Sequence, residues 1–96
     1  MSDPFVGRAQ KLQRTLLAME DNAAEDDLFA LGYMIPQIGL VLEMADYDAS
    51  TVEAEDFDAT YWQWLESTFR EDSMSEDDRL RIAQLWEHAR AESDAS

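Results

Sequence analysis

The sequence predicts an all-α fold, a small four-helix domain of mostly antiparallel helices. Three observations carry that reading. Three glycines and two prolines in 96 residues are too few turn-formers for a many-stranded β fold. Every long segment repeats its apolar residues with helical rather than alternating spacing. Helix-start chemistry recurs along the chain: Asp3-Pro4, Glu25-Asp26-Asp27, Ser50 with Glu53, and Ser75-Glu76. The expected helices cover about 4–20, 25–47, 51–71 and 76–92 of a single domain, 1–96, with an ordered core over about 4–92 and a frayed acidic tail.

In the first helix Asp3 is the N-cap and Pro4 the first helical residue, where a missing N–H costs nothing. Phe5, Ala9, Leu12, Leu16 and Met19 then form one apolar stripe, with Arg8, Lys11 and Arg14 leaving by the opposite side. Asp21 and Asn22, whose short side chains compete for backbone hydrogen bonds, end it.

The second helix opens on Glu25, Asp26 and Asp27, which suit the positive end of a helix dipole. Leu28, Leu31, Ile35, Ile38, Leu42 and Ala45 line one face. Phe29, Tyr33, Leu40, Met44 and Tyr47 line another, roughly 120° around the helix at about 100° per residue. Pro36 removes a donor and crowds the carbonyl of Gly32, which predicts a kink rather than a break, because the period resumes at Ile38. Gly32 and Gly39 offer a side where another backbone can approach. The second stripe either packs on a helix of the same chain or closes a homodimer or receives a partner.

Ser50 and Glu53 have the form of a capping box for a third helix, with Phe57, Tyr61, Trp64, Leu65 and Thr68 on one face and Trp62 pointing elsewhere. Ser75 caps a fourth, in which Ile82, Leu85, Trp86 and Ala89 repeat at helical spacing. Residues 92–96 have nothing to bury and are expected to fray. The expected core is Leu12, Leu16, Leu28, Leu31, Ile35, Ile38, Leu42, Tyr61, Trp64, Leu65, Leu85 and Trp86.

Charge and composition exclude more than they assign. Twenty-two acids against 7 bases leave a net charge of −15, yet 46% of residues are apolar and 10% aromatic, so the chain folds against its own repulsion. Without cysteine there is no disulfide, thiolate nucleophile or cysteine-ligated metal, which fits a reducing cytoplasm. The N-terminus has no basic region followed by an apolar stretch, and no window holds eighteen consecutive apolar residues, so no membrane association is expected. Between Arg14 and Arg70 there is no base, which argues against direct nucleic-acid binding.

His88, the single histidine, reads as a surface imidazole near a helix end. From Asp46 the chain matches a calcium loop at Asp46, Asp48 and Ser50, but Thr51 stands where glycine is required and Phe57 where the bidentate acid belongs. No glycine-rich phosphate loop is present. No catalytic, cofactor-binding or metal-ligating residue is therefore assigned. The candidate partner or dimer surface is Phe29, Tyr33, Leu40, Met44, Tyr47 and Trp62. The favoured role is a non-enzymatic, acidic protein–protein interaction module whose partner is a protein, basic in character, or a second copy. The alternatives are a carboxylate enzyme using Mg²⁺ and an acidic mimic of nucleic acid that binds a basic protein.

The run from Asp26 through Tyr33, followed by Met74-Ser75-Glu76-Asp77-Asp78 and then by Ile82 and Leu85-Trp86-Glu87, resembles the YfcL family of small bacterial proteins over Ala24 to Glu87. Pro36-Gln37 stands where that family's pattern has Gly-His. The resemblance implies a bacterial, cytoplasmic, all-helical domain with no assigned activity and no catalytic residue to carry over.

The charge count makes a thermodynamic prediction. The folded state concentrates like charges that the unfolded chain spreads apart, so screening relieves more repulsion in the native state. Thermal melts in NaCl at neutral pH, taking the Debye length from about 30 Å to about 8 Å, are expected to show a rising Tm. Mild acidification is expected to act in the same direction until losses at caps and ion pairs outweigh it.

Overall fold

A computed structural model describes residues 3–95. It contains four helices, α1 (Pro4–Asp21), α2 (Glu25–Met44), α3 (Ala54–Glu71) and α4 (Glu76–Ala95), and no strand among the described residues. The all-α reading is confirmed.

Asp3 caps α1 as the sequence predicts, its Oδ1 accepting from the Phe5 and Val6 amides at 2.9 and 3.3 Å. Phe5, Ala9, Leu12 and Leu16 are buried and Met19 half-buried. The Asn22 side-chain amide donates to the Ala18 carbonyl at the helix end.

The buried face of α2 is Ala30, Leu31, Met34, Ile38 and Val41. It keeps Leu31 and Ile38 of the first expected stripe and extends from there toward the second: Ile35 and Leu42 on one flank, and Tyr33 on the other, are half-buried. Leu28, expected in the core, is 43% exposed, as are Phe29, Leu40 and Met44 to similar or greater degrees, because α1, α3 and α4 all pack on the same side of α2. Trp64 is likewise only half-buried. Gly32 and Gly39 are exposed, and nothing lies within 4 Å of where a Cβ would be, so no backbone approaches them. The helix runs unbroken through Pro36 and ends at Met44, three residues before the expected end. By length and composition, with a mean hydropathy of 1.3, α2 could cross a membrane; here its core face is packed within the domain.

α3 begins at Ala54 rather than at 51. Asp48 captures the Ser50 hydroxyl at 2.7 Å and its amide at 2.9 Å, so Ser50 closes a turn instead of capping a helix. The residue that caps is Glu53, whose amide donates to Asp56 Oδ2 at 2.8 Å. Phe57, Tyr61, Leu65 and Phe69 are buried. The helix stops with Ser73 at φ 51°, while the Met74 amide reaches the Phe69 carbonyl and the Ser73 amide reaches that of Arg70. Ser75 then caps α4, accepting from the Asp78 amide at 3.2 Å.

α4 continues past the expected fraying point to Ala95. Ser93 is buried against Thr15, their hydroxyls 2.8 Å apart, and Asp94 accepts from Arg8 at 2.8 Å, so the tail has partners the linear pattern did not show. Ser96 lies outside the described residues.

The helices run mostly antiparallel. Tyr47, just beyond α2, stacks on Phe5 at the start of α1 with centroids 4.2 Å apart, and its hydroxyl donates to Asp3 at 2.6 Å. Tyr33 and Gln37 of α2 meet Thr68 and Trp64 of α3 in reverse order. An aromatic chain, Phe5 to Phe57 to Tyr61 to Trp86, links α1, α3 and α4, and the buried Tyr61 hydroxyl donates to the Met34 carbonyl at 2.6 Å. The backbones of α3 and α4, although consecutive, stand apart, so that the two helices meet through long side chains such as Tyr61 and Trp86 and a groove runs between them.

Titration follows from this packing. Burial pushes the Tyr61 and Tyr33 hydroxyls up, and the hydrogen bond to Asp3 raises Tyr47. Each raised tyrosine contributes stability that is fully present below the unfolded value of about 10 and is lost as pH rises through the folded value. Melts between neutral and strongly alkaline pH are expected to show a steep fall in Tm beginning near pH 10, shallower in Tyr61→Phe.

Candidate functional site

Three helices converge on one carboxylate. Asp58, on α3 one residue past the buried Phe57, is 10% exposed at its side chain and accepts from Arg8 of α1 through two bonds of 2.9 Å, a bidentate pair. Arg90 of α4 donates to the same carboxylate at 3.0 Å. Arg8 also holds Asp94, Arg90 also holds Glu87 at 3.2 Å, and the Arg90 guanidinium lies 5.9 Å from the Trp86 ring centroid. The hydrogen bonds that Arg8 donates to Asp58 push its guanidinium pKa further up. These residues line a groove of about 860 Å³ between α3 and α4, walled by Trp62 and small alanines.

The placement of Arg8 corrects the expectation that it leaves by the outer side of α1. One turn beyond Phe5, it lies at the margin of the apolar stripe, where an 11% exposed guanidinium needs a buried partner. The sequence reading missed Asp58 and Arg90 as well. The available signal was spacing: Asp58 precedes Tyr61 and Leu65 by three and seven residues, so an acid falls within the α3 apolar face, and Arg90 follows Trp86 by one turn.

The candidate surface residues separate into two groups. Phe29, Leu40 and Met44 are exposed on α2, at 58%, 43% and 68%. Tyr33, Tyr47 and Trp62 are half-buried and make contacts within the domain: Tyr33 stacks near Phe69, and its hydroxyl lies 2.7 Å from Thr68 and 3.0 Å from Asp72. Tyr47 ties the segment after α2 to α1, and Trp62 meets Phe69 edge-on at 6.0 Å. The exposed set gains Leu28, which shares the outer face of α2 with Gly32, Pro36 and Gly39 at spacings of 4, 4 and 3.

The acids do not converge. Among the described residues no group of three or more His, Asp or Glu side chains is arranged to hold a metal ion. His88 is exposed on α4 with Glu92 3.7 Å away. Asp58 already accepts three guanidinium N–H groups, so its oxygens face cations rather than a reacting group.

Removing the shared carboxylate takes the buried partner from Arg8 and leaves the two cations with only the exposed Asp94 and Glu87. Asp58→Asn is expected to cost about 3 kcal/mol or more in urea denaturation. Glu87→Gln, at an exposed ion pair, is expected to stay within about 0.5 kcal/mol of the parent.

Comparison with known proteins places the chain. No curated protein and no solved structure matches it. A family model described as YfcL protein matches residues 8–91, a span that includes the Arg8, Asp58 and Arg90 cluster and all of α2. The chain belongs to the YfcL family.

Proposed function

We propose that this chain is a non-enzymatic protein–protein interaction module that binds through the outer face of α2. The supporting observation is where apolar surface is left uncovered. Of the six exposed large apolar residues among those described, Leu28, Phe29, Leu40 and Met44 are on α2, and only Leu17 and Leu80 are elsewhere. Residues 28–42 carry no charge in a protein whose residues are 30% charged. An uncharged apolar stripe on an otherwise acidic molecule marks a surface that association covers.

The non-enzymatic reading is supported by an exposed lone histidine and by the neutralisation of the most buried carboxylate. The lack of cysteine suits work in a reducing compartment such as the cytoplasm.

Affinity capture from the native host with the full chain and with a Phe29→Ser, Leu40→Ser double variant tests this function. Both positions are exposed, so the variant is expected to keep its helical circular dichroism and its Tm within a few degrees. A partner retained by the parent and lost by the variant is the expected result; equal retention by both excludes the α2 face.

A further inference from the structure

We infer that the α2 face takes a basic amphipathic segment, apolar along its middle and carrying Lys or Arg at both ends, rather than a second copy of this chain. The inference rests on the reading of α2 as an interaction face and adds the chemistry of what covers it.

Charge at the margins of the stripe decides between the occupants. At its N-terminal end stand the exposed Glu25 and Asp26; the neighbouring Asp27 is already bound by Arg81 of α4. At its C-terminal end stand the exposed Glu43, Asp46 and Asp48. Beside Tyr33, on the long edge, Asp72 adds a further acid. No Lys or Arg occurs from residue 15 to residue 69, so between α1 and Arg70 in the last turn of α3 the chain carries no base to offset these margins.

The backbone adds to the same sign at one end. The last turn of α2 carries no base, so the negative pole of the helix dipole coincides with Glu43, Asp46 and Asp48. Asp26 and Glu43 are about 26 Å apart along the helix, well beyond the Debye length of about 8 Å at physiological salt, so each margin selects its own counter-charge.

A second copy cannot supply those counter-charges. Two α2 helices laid antiparallel bring Glu25 and Asp26 against Glu43 and Asp46 of the other copy; laid parallel, they bring each acidic margin against itself. Either arrangement opposes like charges across a small apolar contact. A segment with basic ends pairs at both margins while its apolar middle covers Leu28, Phe29 and Leu40. Anionic membrane surfaces meet the same acidic margins and are repelled.

The test uses the full chain and two synthetic helical peptides of about eighteen residues, long enough to span the stripe. Both have leucines along one face; one carries lysines at both ends, the other glutamates. Fluorescence anisotropy at low ionic strength is expected to give a Kd about ten-fold or more tighter for the lysine peptide, with the gap narrowing as salt is added. Phe29→Ser with Leu40→Ser is expected to abolish binding, and Glu25→Lys with Glu43→Lys to reverse the preference. Equal affinity for the two peptides overturns the charge assignment while leaving α2 as the binding face. Lysine-peptide binding that survives the Phe29 and Leu40 substitutions overturns both readings. A dimer in sedimentation equilibrium that Leu40→Ser dissociates, or tighter binding to anionic phospholipid vesicles than to the lysine peptide, overturns the assignment in favour of that occupant.

Discussion

The carboxylate of Asp58 is the constraint around which the domain is arranged. It sits where α1, α3 and α4 meet, and a negative charge there is tolerable only because Arg8 and Arg90 supply directed donors on two sides. With 7 bases against 22 acids, cations are the scarce resource of this chain. Several are committed to joining helices: Arg8 and Arg90 at Asp58, Arg81 at Asp27, and Arg79 at the carbonyls of Phe69 and Met74 that end α3. The acids outside these contacts remain as an open negative surface.

That commitment shapes the rest of the molecule. α1 carries three of the bases and α4 another three, whereas the sequence from residue 15 to residue 69 has none, so beyond the Asp27–Arg81 ion pair in its first turn α2 reaches its neighbours by packing and by hydrogen bonds. It does so through Met34, Ile38 and Val41, through the Tyr61 bond to the Met34 carbonyl, and through Trp64 on Gln37. Because all three neighbours lie on one side, the opposite face of α2 is left apolar, uncharged and uncovered. The scarcity that holds three helices together at Asp58 thus leaves the fourth with a face whose margins are mostly acidic, Arg81 at Asp27 being the base beside them.

Local chemistry was legible in the sequence, and long-range chemistry was not. The Asp3-Pro4 start, the acidic first turns, the Ser75 cap and the apolar run of α4 depend on residues within one turn of each other, and each stands in the structure as read. Apart from Ser50, which a residue two positions away diverted from its capping role, the readings that failed depended on a distant partner. Ser50 matched a capping box, but Asp48 competed for its hydroxyl. The tail after Glu92 looked unpartnered, but Thr15 and Arg8, near the other end of the chain, bind it. The apolar richness of α2 supported two stripes equally well, and only the positions of the other helices select a face that keeps Leu31 and Ile38 of the first and leaves Phe29, Leu40 and Met44 of the second exposed. Of the candidate surface, the exposed side chains were visible as apolar residues away from the first stripe; the tyrosines shared that spacing and were claimed by Thr68 and Asp3 instead.

A double-mutant cycle between Arg8 and Asp58 tests most directly whether this junction organises the fold. Stability is measured by urea denaturation for the parent, Arg8→Met, Asp58→Leu and the double variant. If the guanidinium and carboxylate require each other, each single change leaves a stranded charge at the helix junction. The double variant then recovers part of the loss, with a coupling energy of about 2 kcal/mol. Losses that add to within about 0.5 kcal/mol would contradict the account, showing that the two groups are held by the surrounding apolar packing rather than by each other.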